Sequence, residues 1–380
     1  MALTILLSLT SVFSYVQAGP VPSPARDRPC ATFMLPVSAT AQNAEYDIVP
    51  VADNINATAY AVDHDTWSFN NRSHILRNIT VSGTYNISVQ LCVPPHGIKK
   101  QHLFIATHGG LFDKRYWDSA INPSEYSFVD NALAAGYSIL TYDRLGNGLS
   151  DKPSASTSVQ APLQLEILRG ITEMALSGAL SKHTGDQLKA NSFDKLIHVG
   201  HSFGSVLTTA FLTKYGTLSS AAIITGFIPN PYLADMRVSS FSAEYAPLND
   251  PVLFSDRSQG YLVNGQLTGF QSLFFSPKTN TTSGIGGFDK EVFDYAFSIR
   301  QTITTTELLA PQASLGPALQ FEGPVQADCG VDFEMGREVW PRAKKVEVYT
   351  QPGNGHALTL HRRADVGYKA TFDYLEKMGL

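Results

Sequence analysis

Apolar and polar positions change rhythm several times along the chain, and each change marks an element. Residues 79–93 alternate apolar and polar with a Gly-Thr near the middle, which reads as strand in an antiparallel ribbon at a sheet edge. Residues 103–107 are a short apolar run closed by His108-Gly109-Gly110, the pattern of a buried strand entering a loop. A helix-like stretch covers 125–135 and stops at Gly136, and 137–142 is a second buried strand. Over 159–180, Leu163, Ile167, Leu168, Ile171 and Ala175 recur at helical spacing. A third buried strand is expected at 196–199, a helix at 203–215 and a fourth strand at 221–224. Strand-like signal returns at 318–321 and 346–349, and a closing helix is expected over about 364–377. Strand and helix alternating at this rhythm imply parallel βαβ units and a sheet covered on both faces, an α/β fold.

The rhythm breaks between about 229 and 312, a stretch rich in Pro, Ser, Thr and aromatic residues. It reads as an insertion forming a cap over the sheet, so the core comprises 79–228 and 313–380. Residues 19–78 form an N-terminal extension, of which 19–36, rich in Pro, is expected to be an exposed leader. Residues 1–18 are a short apolar run ending in Val16-Gln17-Ala18 and broken at once by Gly19-Pro20. That is the pattern of a secretory signal peptide, too short to span a bilayer comfortably, and the expected destination is outside the cell.

Composition and charge narrow the picture further. At 43% hydrophobic and 16% charged, the 380 residues can build a large core, and global disorder is excluded. A net charge of −5 without a Lys/Arg stripe gives no field for nucleic acid, and no stable membrane insertion is expected. Asn56, Asn71, Asn78, Asn86 and Asn280 each head an N-x-Ser/Thr triplet, as expected of a glycoprotein from a eukaryotic secretory pathway. Of three cysteines, Cys30 and Cys92 can form a disulfide, leaving Cys329 as a thiol. No metal-ligand spacing appears among Cys, His and carboxylates, and no cofactor is expected.

The chemistry centres on Gly200-His201-Ser202-Phe203-Gly204, a G-x-S-x-G sequence set between the strand at 196–199 and the helix at 203–215. A strand–elbow–helix setting exposes the serine as a nucleophile, and the glycines are needed because side chains there would clash. The N-terminus of the following helix favours a developing oxyanion, with the Phe203 N–H as first donor. A second donor is expected from the loop after 103–107, where Gly110 leads and Leu111 stands close behind. His108 reads as a structural hydrogen-bonding residue. The base is expected late in the chain, in the order Ser, acid, His, which selects His356 in a glycine-rich loop over His361. Asp328 is the leading acid, with Asp332, Glu334 and Asp235 as competitors. Asp143 and Arg144 are expected to brace the turn after 137–142 as an ion pair.

Together HGG at 108–110, DRLGNGLSD at 143–151, GHSFG at 200–204 and GNGH at 353–356 resemble the α/β-hydrolase superfamily, in the branch of lipases, esterases and bromoperoxidase-like enzymes. The resemblance covers about 80–380, and Tyr116-Trp117-Asp118 with the Cys-containing N-terminal segment looks like secreted fungal members. It implies a mostly parallel eight-stranded sheet with helices on both faces, an inserted helical cap and no cofactor. One departure stands out: relatives carry Gly-x-x-Asp after the penultimate strand, whereas Gly323-Pro324-Val325-Gln326 ends in Gln. The expected activity is hydrolysis of carboxylic esters or lactones of apolar small molecules through an acyl-enzyme; the oligomeric state is left open. Two other readings stand beside it. One is a tailoring enzyme of fungal secondary metabolism performing acyl transfer, cyclisation or C–C cleavage. The other is a non-catalytic ligand-binding homologue that lost the acid.

Overall fold

The computed structural model describes residues 28–65, 74–96, 101–185, 188, 192–227, 242–275, 287–309, 315–328 and 333–380, with Asp65, Phe333 and Glu334 as backbone only. Its strands are β1 (Cys30–Tyr46), β2 (Ile75–Cys92), β3 (His102–Thr107), β4 (Ser138–Tyr142), β5 (Lys195–His201) and β6 (Ala221–Thr225). The insertion adds β7 (Ala243–Tyr245), β8 (Tyr261–Asn264) and β9 (Ile303–Thr304), and β10 (Val325–Asp328) and β11 (Val346–Tyr349) follow it. The main helices are α1 (Asn54–Asp65), α2 (Phe128–Ala134), α3 (Ala161–Leu176), α4 (Phe203–Tyr215), α5 (Leu267–Phe274), α6 (Lys290–Ser298) and α7 (Ala364–Lys377).

Eight strands form one sheet in the order β1-β2-β4-β3-β5-β6-β10-β11. From β4 to β11 every pairing is parallel, while β2 runs antiparallel to both β1 and β4. The α/β-hydrolase fold expected from the motifs is present. Strand alternation explains the double cover: Leu103 and Ile105 join the core under α3 and α4, whereas Phe104 and Ala106 join the one under α2 and α7.

The structure departs from three sequence expectations. Of the exposed leader expected at 19–36, residues 19–27 lie outside the described residues, and from Cys30 onward the chain is the edge strand β1, where Val37, Ala39 and Ala41 are buried between exposed Ser38, Thr40 and Gln42. Pro36, which suggested a leader, is tolerated because an edge strand has one side free of ladder bonds. The strand expected at 318–321 is a turn closed by the Phe321 N–H on the Ala318 carbonyl, and the strand lies at β10 instead. The cap, expected to be helical, also carries the three-stranded antiparallel sheet β7-β8-β9.

Cys30 and Cys92 are opposite each other in the β1–β2 register and are joined by a disulfide. Along the solvent face of this ribbon, Ser38–Thr84, Thr40–Ser82 and Gln42–Thr80 form a ladder of side-chain hydrogen bonds of 2.7–2.8 Å. Asn78 and Asn86 are exposed on β2, and Asn56 is half-buried on α1; Asn71, Asn280, Cys329 and the apolar run 1–18 lie outside the described residues. Among the described residues no helix is long and apolar enough to cross a membrane.

Candidate active site

β3 and β5 are adjacent, and the chain proceeds from them to opposite sides of the sheet, to β4 and to β6. Such a switch point opens a crevice beyond the carboxyl ends of the two strands. The register pairs Thr107 with Gly200, so the loops beginning at His108 and at Ser202 emerge side by side.

Ser202 has φ 54° and ψ −117°, a conformation costly for a residue with a side chain. What imposes it is crowding between β5 and α4. A Cβ added at Gly200 would lie 2.5 Å from the Gly204 carbonyl oxygen, and one at Gly204 would lie 2.1 Å from that of Thr107. The strained serine is held by its N–H, which donates to the Thr225 carbonyl at 2.8 Å. Its Oγ lies 2.8 Å from His356 Nε2.

His356 stands on the loop after β11. That loop is fastened to the cap by the Ala357 N–H, which donates to the Phe274 carbonyl at 2.9 Å, and the Phe274 ring stacks on His356 with centroids 6.0 Å apart. The competing His361 is buried in a bracing position, where its Nε2 accepts the Gly355 N–H at 2.9 Å. Burial lowers the pKa of His361 to about 4. Burial also lowers that of His201, inside the elbow, well below the usual imidazole value.

Asp328 ends β10, almost fully buried, and its Oδ1 accepts the Gly226 N–H at 2.7 Å. Its Oδ2 has no hydrogen-bond partner, so the leading acid reaches the neighbourhood of His356 without bonding to it. Burial pushes its pKa up to about 8, and the backbone N–H groups of Gly226 and of Asp328 itself offset that desolvation only in part. Asp332, Asp235 and the Glu334 side chain lie outside the described residues. Beside Asp328, a cavity of about 280 Å³ is lined by Trp117, Gln326, Asn354, Tyr368 and Thr371.

The candidate oxyanion donors flank the serine. Phe203 is the first residue of α4, and Gly109 packs so closely that an added Cβ would be 3.0 Å from Ser202 Cβ. Leu111 is buried with φ 64°. Among the described residues, the N–H groups of Phe203, Gly110 and Leu111 find no acceptor. His108 Nε2 accepts the Arg144 N–H at 2.9 Å, and burial, then the Arg144 charge, lower its pKa to about 3.

The expected Asp143–Arg144 ion pair is not formed. Asp143 binds Lys114 Nζ at 2.7 Å, while Arg144 binds Glu307 of the cap at 2.5 Å and Gln164 at 2.6 Å. Consecutive residues point away from each other at a strand end, so each side chain meets a distant partner. Arg144 also lies 4.6 Å over the Phe203 ring, tying the cap to the elbow. Sequence reasoning placed Phe274 only among the aromatic residues of the insertion and missed Glu307 and the Thr225-Gly226 turn; the last had one signal, a glycine closing the apolar run of β6. Among the described residues no group of three His, Cys, Asp or Glu is placed to hold a metal ion.

A search of curated proteins finds no match. Solved structures of similar fold include an esterase from Thermogutta terrifontis, at 14% identity and TM-score 0.48, covering 78% of this chain and 95% of that one. An esterase from Exiguobacterium antarcticum aligns at 13% identity and TM-score 0.49, over 78% and 96% of the two chains. A bromoperoxidase from Bacillus anthracis aligns at 17% identity and TM-score 0.48, over 77% and 96%. The family model that matches this sequence spans residues 103–366, from β3 through the His356 loop into α7, and by that match the chain belongs to the alpha/beta hydrolase family.

Proposed function

We propose that the chain is a secreted serine hydrolase that cleaves carboxylic esters or lactones of apolar small molecules. The observation that carries this reading is the strained Ser202 at 2.8 Å from His356 Nε2. In this reading His356 takes the Ser202 proton as Oγ attacks the substrate carbonyl. The oxyanion is met by the Phe203 N–H and by Gly110 or Leu111, at the positive end of α4. His356 then returns the proton to the departing alcohol, and water, deprotonated by the same imidazole, releases the acid from Ser202. The orienting carboxylate comes from the segment that follows Asp328 and holds Asp332 and Glu334. Aromatic side chains of the cap, Phe274 foremost, favour an apolar substrate. The apolar run 1–18, the exposed Asn78 and Asn86 and the Cys30–Cys92 bridge support passage through an oxidising secretory compartment.

A fluorophosphonate probe and a series of p-nitrophenyl esters test the reading. The wild-type protein is expected to label and to turn over esters, and Ser202→Ala or His356→Ala to lose about 10⁴-fold or more in kcat/KM. Labelling without turnover of simple esters would point to tailoring chemistry, and no labelling of folded protein to a binding homologue. Secretion is checked by recovering the chain from culture medium, shifted in mobility by N-glycosidase.

A further inference from the structure

We propose that Asp328 is a positioning residue, which holds the turn beneath the Ser202–His356 pair through the backbone and is not the carboxylate that orients His356. The inference rests on those two residues being the reacting pair.

The turn in question ends β6. Thr225 grips the elbow at several points: its carbonyl accepts the Ser202 N–H at 2.8 Å and the Ser205 hydroxyl at 2.7 Å. Its own hydroxyl donates to the Gly200 carbonyl at 2.8 Å and lies 3.1 Å from His201 Nδ1. The next residue, Gly226, has φ 61° and packs against both imidazoles. A Cβ there would be 2.5 Å from His201 Cε1 and 3.1 Å from His356 Cε1. A turn that touches the nucleophile through one residue and the base through the next fixes their relative placement.

Asp328 secures this turn from the neighbouring strand. β10 pairs with β6 up to Ala327 opposite Ile224, and one residue further Asp328 Oδ1 replaces the ladder by accepting the Gly226 N–H at 2.7 Å. Neither carboxyl oxygen bonds His356, and Oδ2 is buried without a partner. An orienting acid has to be ionised to stabilise an imidazolium. Burial, which raises this pKa to about 8, favours the neutral acid, and a neutral carboxyl still accepts an N–H through its carbonyl oxygen. Anchoring Gly226 therefore needs an acceptor of this shape, and not a charge.

The difference is read with Asp328→Asn, which keeps the acceptor, and Asp328→Ala, which removes it. Activity is measured on a p-nitrophenyl ester across pH, with Ser202 titrated by the fluorophosphonate so that kcat is per competent site. Asp328→Asn is expected within about threefold of wild type with the acid limb of the pH profile in place. Asp328→Ala is expected to lose roughly 10–100-fold in kcat, with a smaller change in KM. Should the alanine variant not fold, Asp328→Leu replaces it, similar in size and without an acceptor. A 10³–10⁴-fold loss in Asp328→Asn, the effect of removing an orienting acid, overturns the proposal. So does full kcat per titrated site in the variant without an acceptor, which would leave Asp328 a purely structural role. If the wild-type protein neither labels nor turns over esters, the functional reading fails on its own. The role of Asp328 is then read from the His356 imidazole resonances: an unmoved titration in Asp328→Asn supports the proposal, and a displaced one overturns it.

Discussion

At the scale of single residues, burial keeps several ionisable side chains of this chain uncharged. His108 and His198 are lowered to about 3, His361 to about 4, and His201 well below the ordinary imidazole value, in each case with burial as the largest cause. Unfolding returns them to an imidazole pKa of about 6.5, so below that pH the unfolded chain binds the extra protons. Their contribution to stability is complete above about pH 6.5 and is lost as pH falls toward 3. Asp328 works in the opposite sense. Its folded pKa of about 8 lies above the unfolded carboxyl value of about 3.9. Its contribution is complete below about pH 4 and is lost as pH rises toward 8. Asp328→Asn removes only the second dependence. Thermal unfolding should show the variant gaining on the wild type between pH 5 and pH 8; an unchanged difference across that range refutes the buried neutral acid.

At the scale of elements, Arg144 and Glu307 join the turn after β4 to the cap, with side-chain exposures of 1% and 0%. Removing one member leaves a buried charge without its counterion, a loss of about 3–5 kcal/mol, whereas replacing both by apolar residues is far milder. Urea unfolding should therefore show Glu307→Gln less stable than the double variant Arg144→Met/Glu307→Leu. What could be read from the sequence follows the same division between local and distant causes. β3 to β6 were legible because strands covered on both faces are continuous apolar runs. The elbow was legible because its glycines, the preceding strand and the following helix are contiguous. β1 was hidden by Pro36, although the alternation from Val37 to Gln42 was already present. The cap sheet was not legible, since strands as short as Ile303–Thr304 carry no period. Glu307 could not be paired with Arg144 because nothing local reports a partner 163 positions away. Asp328 was found as an acid near the site; its acceptance of a backbone N–H depends on the register of β10 against β6, which no spacing reveals.

At the scale of the whole molecule, the two ends of the 2.8 Å Ser202–His356 contact are anchored in different cores. Ser202 leads into α4, whose Val206, Ala210 and Phe211 pack in the layer shared with α3. The loop of His356 leads into α7, and its Ala357 and Leu360 pack with Tyr368 and Leu375 in the layer shared with α2. The sheet lies between the layers, and Asp328 and the Thr225-Gly226 turn lie at the carboxyl ends of its inner strands β10 and β6. Interiors packed as densely as crystals transmit small displacements, and a nucleophile misplaced by about 1 Å can lose about 100-fold in rate. The contact is thus a caliper closed across the sheet, sensitive to either helical layer sliding before any helix melts. In a urea titration, ester turnover should decline at lower concentrations than far-ultraviolet circular dichroism; coincident transitions would mean that the two layers yield only together.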